Sequence, residues 1–374
     1  MKAASEHSHK LCIWMNMPSH HQRGFLDAIC ASGVDLQVFY YGQLSQYRKD
    51  MGWGADQLQS WEQYIDREAI TPTLLSGFHG HVHIVPGYRD PSLRKLIRLL
   101  VRNRYRWLHW SEPAQRGLRW YAAFLLNYVY ARVVNRYAQG ALAIGDNAAA
   151  DFRQWGIAAE KIALLPYCVP GLRAAGDQPI SKGPGPISFI CVAALCPRKG
   201  IDILLRAFER VLKRSDPGAV RLLLLGPELT PRYRRDVERS ALLSDHVEFL
   251  GPVSADAVKQ HIDEADVLVV ASRFDGCGMV LNEAASLGLP LVATDSVGAA
   301  HHLIDTGVNG FRVPAGDVDA IANAMYSYVE NPEAVKAHGM ASLRVFERWT
   351  PRANTQRLLE ILDALATGSS GGSQ

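Results

Sequence analysis

Short apolar runs alternate with amphipathic stretches along the whole chain. The runs fall at 11–16, 35–41, 81–85, 107–111, 140–144, 162–165, 187–193, 220–225, 247–250, 267–271, 290–294 and 311–313. Runs of three to seven mainly apolar residues read as strands, and most of the stretches between them read as helices. Strand–helix alternation predicts an α/β protein with parallel sheets built from β-α-β units. The segment 169–186, VPGLRAAGDQPISKGPGP, is rich in proline and glycine and interrupts the alternation. It reads as a linker between two domains, 1–168 and 187–350. A length of 374 residues fits two cores better than one. Each domain is expected to be Rossmann-like and doubly wound. The two would face each other across a central cleft, with ligands at the C-terminal ends of the strands. A helix over 351–366 is expected to pack back toward the first domain, and 367–374 to form a flexible tail.

Composition narrows the class. With 48% apolar and 21% charged residues the chain reads as soluble and globular, and a net charge of +3 is too small to imply nucleic acid. The cysteines at 12, 30, 168, 191, 196 and 277 form no C-x-x-C pair and no metal spacing, which suits a reducing cytoplasm. No apolar run reaches the ~18 residues needed to cross a bilayer. The polar opening MKAASEHSHK does not read as a signal peptide.

Candidate chemistry concentrates in 272–290, SRFDGCGMVLNEAASLGLP. Asp275 precedes a Gly-Cys-Gly turn, seven residues separate it from Glu283, and a small-residue helix leads into the strand LVAT. A strand, a glycine turn and a helix N-terminus together offer backbone N–H groups and a positive dipole end to an anion. The two acids suit hydroxyl groups of a sugar or ribose. Phosphate donors and hydroxyl acceptors so close together suggest a sugar nucleotide. In 187–208, ISFICVAALCPRKGIDILLRAF, a buried strand ends in Arg198, Lys199 and Gly200 before an amphipathic helix. A lysine there can pair with a diphosphate or be an ordinary loop charge.

Five pieces occur in order over 187–318: CPRKGIDILLRAF, LLLLGPE, VEFLGPVSADAV, ADVLVVASRFDGCGMVLNEAASLGLPLVATDSVGAAHHLI and GVNGFRVPAGD. Together they resemble the donor-binding domain of the retaining glycosyltransferases of family 4, which have the GT-B fold. The resemblance implies a nucleotide diphosphate sugar as donor substrate and no metal or other cofactor. It implies that Glu283 holds the ribose hydroxyls and Asp275 the donor sugar. Amides of the turn and helix start, Gly276, Cys277, Gly278, Met279 and Val280, would meet phosphate and sugar. Lys199 would neutralise the diphosphate, and Gly251 to Val253 would line the base. The chain departs from the family pattern in several places. Asp275 stands where glutamate is usual, Cys277 where an aromatic is common, and His302 where glutamate is common. Ala193 and Ala194 stand where an arginine is usual, so that Arg198 would supply the second positive charge. Asp317-Val318-Asp319 has the spelling of a metal motif, but its place before a helix reads as a cap.

The first half is less explicit. The first strand ends in a loop, PSHHQRGF, with His20, His21 and Gly24, which the resemblance places toward the acceptor. The strand RWLHWSE puts His109 and Glu112 at another strand end, where one of them would position the acceptor hydroxyl; a satisfied core histidine is the other reading of His109. His79, His81 and His83 alternate as on one strand face, without a fourth ligand nearby. Residues 89–136 hold eleven Lys or Arg against two acids, Asp90 and Glu112, together with many aromatics. That mixture suits an anionic membrane surface or a lipid-linked acceptor, or else a buried helix with a basic rim. The resulting expectation is a retaining glycosyltransferase, with catalytic candidates His109, Glu112, Lys199, Asp275 and Glu283. It would act on a glycan or lipid-linked acceptor in cell-surface polysaccharide or glycoconjugate synthesis, in the cytoplasm or on the inner membrane face. A sugar-nucleotide epimerase of similar fold and a non-catalytic sugar-nucleotide-binding protein are the rivals. An NAD-dependent oxidoreductase does not fit, because neither PSHHQRG nor ALCPRKG supplies Gly-x-Gly-x-x-Gly.

Overall fold

A computed structural model describes residues 9–43, 58–114, 118–173 and 185–368. The chain divides into two compact units, one of residues 1–168 with 351–374, the other of residues 169–350.

The first unit runs β1 (Lys10–Met15), α1 (His20–Ala31), β2 (Asp35–Tyr40), β3 (Glu62–Tyr64), α2 (Pro72–Ser76), β4 (Val82–Val85), α3 (Pro91–Arg102), β5 (Trp107–Ser111), α4 (Leu118–Tyr137), β6 (Gly140–Ala143), α5 (Asp146–Trp155) and β7 (Ile162–Leu164). Its strands form one parallel sheet in the order β3-β2-β1-β4-β5-β6-β7. Apart from β3, most positions in these strands are apolar because helices cover both faces. β3 carries no apolar signal, and the sequence pattern does not predict it. It is an edge strand whose one buried residue is Glu62. That carboxylate is satisfied by Arg23 at 2.6 Å, by the Tyr40 hydroxyl at 2.5 Å and by the Gln59 amide at 2.8 Å.

The second unit runs β8 (Ile187–Val192), α6 (Ile201–Leu212), β9 (Val220–Leu225), α7 (Arg232–Glu238), β10 (Val247–Gly251), α8 (Ala255–Glu264), β11 (Val267–Val270), α9 (Met279–Leu287), β12 (Leu291–Thr294), α10 (Ala300–Leu303), β13 (Gly310–Val313), α11 (Val318–Glu330) and α12 (Glu333–Glu347). Its sheet is parallel in the order β10-β9-β8-β11-β12-β13. Counted within the unit this is the doubly wound order 3-2-1-4-5-6, whose switch point lies between β8 and β11. The two faces alternate along β11: Val267 and Val269 join one apolar cluster, Leu268 and Val270 the other.

The segment expected as a linker is described only at its ends. Residues 169–173 pack on the second unit: Val169 is buried in its core, the Leu172 amide donates to Ser286 Oγ, and Arg173 pairs with Asp263. Val169 and Leu172 bring apolar area that this packing buries. The last helix, α13 (Pro351–Gly368), belongs to the first unit. It packs on α1, and Asn354 Nδ2 donates to Pro166 O at 2.7 Å. It runs through 367 and 368, two residues into the stretch expected as a tail.

Candidate functional site

The switch point of the second sheet brings together two loops far apart in sequence. After β8 the chain makes a tight turn, Pro197–Lys199, closed by Gly200 in the left-handed region at φ +69°. A Cβ on Gly200 would stand 1.9 Å from Ala271 O, at the end of β11. Only glycine lets the turn press this closely against the neighbouring strand. After β11 the loop 272–278 turns into α9 through Gly278, at φ +76°. No side chain caps α9, so its N-terminus presents backbone N–H groups and the positive end of the helix dipole.

Lys199 and Asp275, expected to meet different parts of one ligand, are paired with each other. Lys199 Nζ lies 2.5 Å from Asp275 Oδ2, and both side chains are mostly buried. The other carboxylate oxygen of Asp275 accepts the Gly278 amide at 3.1 Å. Asp275 is thus fixed between the ammonium and the start of α9. Arg198 is exposed and donates to Phe274 O at 3.0 Å. Arg273 stands inside 272–290 but is not among the residues expected at the site. Its guanidinium makes a fork to both carboxylate oxygens of Asp202, at 2.7 and 2.6 Å, and also donates to Pro197 O. The contact spans 71 residues of sequence, so no local pattern announces it.

Glu283 sits one turn into α9 and is half-buried. Burial pushes its carboxyl up to about 7. Its neighbour Asn282 is fully buried with both side-chain amide atoms unpaired, as is the Ser272 hydroxyl. Cys277 is buried, with its thiol 3.1 Å from Met279 Sδ. Met279, Val280 and Val253 are half-buried against the core cluster under α9. Gly251 is in the left-handed region at the end of β10, and its carbonyl accepts the Gly226 amide. His302 packs against Trp349, the rings tilted and their centres 4.6 Å apart. Asp317 caps α11 by accepting the Ala320 amide, and Asp319 pairs with Arg210. Among the described residues no group of three or more His, Cys, Asp or Glu could hold a metal ion.

In the first unit a cavity of about 590 Å³ opens at the C-terminal ends of β1, β4 and β5. Tyr41, Tyr88, Trp110 and Trp155 supply apolar walls, and Asn16, Arg89, Ser111 and Glu112 supply polar ones. His109 also lines it but is almost wholly buried, and burial lowers its imidazole to about 3. Its Nδ1 is hydrogen-bonded with the Tyr130 hydroxyl and its Nε2 with Ser111 Oγ. His109 is therefore a neutral, satisfied ring that orients Ser111, while Glu112 is the exposed carboxylate of the pair. Tyr88 is held by Asn127 Oδ1 at 2.6 Å.

His20, His21 and Gly24 are not among the residues lining this cavity. They lie in α1, which starts at His20 rather than after the expected loop. The His20 and His21 rings lie tilted against each other with centres 3.8 Å apart, and burial with the neighbouring ring lowers His21 to about 3. The expected strand face of histidines is not formed. Only His83 is on β4, accepting from Trp14 Nε1; His81 precedes the strand beside Asp35, and His79 is exposed.

Residues 186–331 match the family model described as glycosyl transferases group 1. One relative is the GDP-mannose-dependent alpha-(1-6)-phosphatidylinositol monomannoside mannosyltransferase of Mycolicibacterium smegmatis, 30% identical over 61% of this chain. The chain spans about 60% of that relative's length. Among solved structures, Anabaena Alr3699/HepE in complex with UDP and glucose superposes with a TM-score of 0.71 at 17% identity, covering 95% of this chain and 100% of that one. The lipopolysaccharide outer core galactosyltransferase WaaB gives 0.70 at 17% identity, covering 95% and 99%. The fold is GT-B.

Proposed function

We propose that this chain, which joins a glycosyl transferases group 1 domain to a second Rossmann-like unit in the GT-B fold, is a retaining, metal-independent glycosyltransferase. It moves a sugar from a nucleotide diphosphate sugar to a hydroxyl of a glycan or lipid-linked acceptor, in cell-surface polysaccharide or glycoconjugate synthesis. The observation that carries this is Lys199 held at Asp275 beside the uncapped start of α9. A cation and a helix N-terminus at a doubly wound switch point suit a diphosphate, and together they offset charge on it as it leaves. Glu283 accepts the ribose hydroxyls, and their donation draws its carboxyl back toward the ionised form. When the donor enters, Lys199 turns from Asp275 to the diphosphate and leaves Asp275 to the sugar hydroxyls. Comparison supports the ligand class: the mannosyltransferase is GDP-mannose-dependent and HepE was solved with UDP and glucose.

The cavity of the first unit is read as the acceptor site. Its aromatic walls suit a sugar ring, Glu112 a hydroxyl, and Ser111 is oriented by His109. The chain would work in the cytoplasm at an anionic membrane, through α4. That helix exposes Leu125, Leu126, Tyr128 and Val129, carries Arg132 and Arg136 toward its end, and has no acidic residue.

The test is calorimetric titration with UDP- and GDP-sugars, followed by nucleotide release with a glycan or lipid-linked acceptor. Wild type is expected to bind one of them below millimolar concentration, and Lys199→Ala to weaken binding about tenfold or more. No binding at millimolar concentration, or binding with conversion of the sugar and no transfer, refutes the reading.

A further inference from the structure

We infer that Arg273 is the positioning residue for Lys199. The inference rests on the donor reading above for what Lys199 meets, but its geometry stands alone. Four contacts tie the Pro197–Gly200 turn to the loop after β11; Arg273 makes two of them and also holds Asp202 beyond the turn. Its side chain donates to Pro197 O at 2.7 Å and grips Asp202 through two parallel bonds at 2.7 and 2.6 Å. Its backbone N–H donates to Arg198 O at 2.9 Å. Arg198 returns a bond to Phe274 O, and Lys199 reaches Asp275.

Asp202 lies in the first turn of α6, so Arg273 fixes both the turn and the helix that follows it. A fork of two bonds between guanidinium and carboxylate sets direction as well as distance, which a lysine cannot do. The pairing holds the Asp202 carboxyl below its ordinary range. Ion pairs on surfaces contribute little unless bidentate. Here the gain is in placement, because three successive residues before Gly200 are held by the segment 273–275. Without the Arg273 side chain the turn keeps Gly200 against Ala271 O and its bonds to the backbone of 273 and 274, but it loses the hold on Pro197 O and Asp202, and Lys199 is placed less firmly.

The experiment uses the full chain with Arg273→Ala, Arg273→Lys and Asp202→Asn. First, lysine acylation by an N-hydroxysuccinimide ester is followed by mass spectrometry, with exposed Lys213 as internal reference. Lys199 is expected to react slowly in wild type and about fivefold faster, relative to Lys213, in Arg273→Ala and Asp202→Asn. Arg273→Lys keeps the charge but not the fork, and its rate should fall between. Second, wild type and variants are titrated with UDP and UMP, and with GDP and GMP. Diphosphate affinity should fall about fivefold while monophosphate affinity holds, because the loss is confined to what Lys199 meets.

An unchanged Lys199 to Lys213 ratio overturns the inference, as does an equal fall for mono- and diphosphate. If wild type binds no nucleoside diphosphate, the donor reading fails and the acylation rates alone decide the role of Arg273. Should Arg273→Ala not fold, Arg273→Lys and Asp202→Asn carry the same comparison.

Discussion

Replacing Glu283 by glutamine tests the site through stability. The carboxyl titrates near 4.5 in an unfolded chain and near 7 in the folded one, because burial disfavours its charge. Between those values the folded chain holds a proton that the unfolded chain has released. Stability therefore falls as pH rises through that window, with no cost well below 4.5 and the full cost above 7. At about 1.4 kcal/mol for each tenfold, the gap comes to about 3 kcal/mol at pH 8. Glutamine has the shape of the protonated acid and escapes this cost. Glu283→Gln should therefore melt roughly 6–12 °C above wild type at pH 8, at 2–4 °C per kcal/mol for a unit of this size. At pH 4.5 the difference should nearly vanish. The same variant should bind the nucleotide donor about tenfold or more weakly, since it offers one acceptor oxygen and no charge to the ribose hydroxyls. Thermal unfolding of the ligand-free proteins at both pH values, with donor titration at pH 8, measures each part. Equal melting differences at the two pH values, or a variant less stable at pH 8, would refute the reasoning.

Two further outcomes are expected. Gly278→Ala places a Cβ 2.3 Å from Val297 Cγ1 in a left-handed conformation, at a cost of about 2–4 kcal/mol in urea unfolding. Adding Val297→Ala should recover the steric part and leave about 1 kcal/mol of backbone strain; no recovery would mean the contact is not the cause. On α4, Leu125→Asp with Val129→Asp should leave melting unchanged, since both residues are exposed, and should cut co-sedimentation with phosphatidylglycerol vesicles about tenfold or more. Equal sedimentation of variant and wild type, or none by wild type, would remove the membrane reading.

Most of the fold was legible in the order of apolar runs. Strands such as β8 and β11 are covered on both faces, so nearly every side chain must be apolar and the run stands out. β3 did not stand out because its buried residue is a glutamate, acceptable only beside Arg23 and Tyr40. The start of α1 was misplaced for a similar reason. Ser19 makes no side-chain cap, and His20, His21 and Gly24 look like loop residues until Gln22, Phe25 and Leu26 are seen to be buried on one face of the helix. The alternation of His79, His81 and His83 suggested a strand face, but the strand begins only at Val82.

The sequence by itself determined the parallel α/β architecture, the glycine turns and the placement of Lys199, Asp275 and Glu283 at strand ends and a helix start. Those are local matters of periodicity and backbone freedom. The tertiary structure alone decided which groups meet. Lys199 and Asp275 are 76 residues apart in sequence, as the Arg273 contact with Pro197 also is. They touch because the switch point sets the end of β8 beside the end of β11. Burial, too, belongs to the assembled core: it raises Glu283 and keeps His109 neutral, and neither change can be read from the residue's own neighbours along the chain. A charge knows its environment only after distant strands have excluded the water around it.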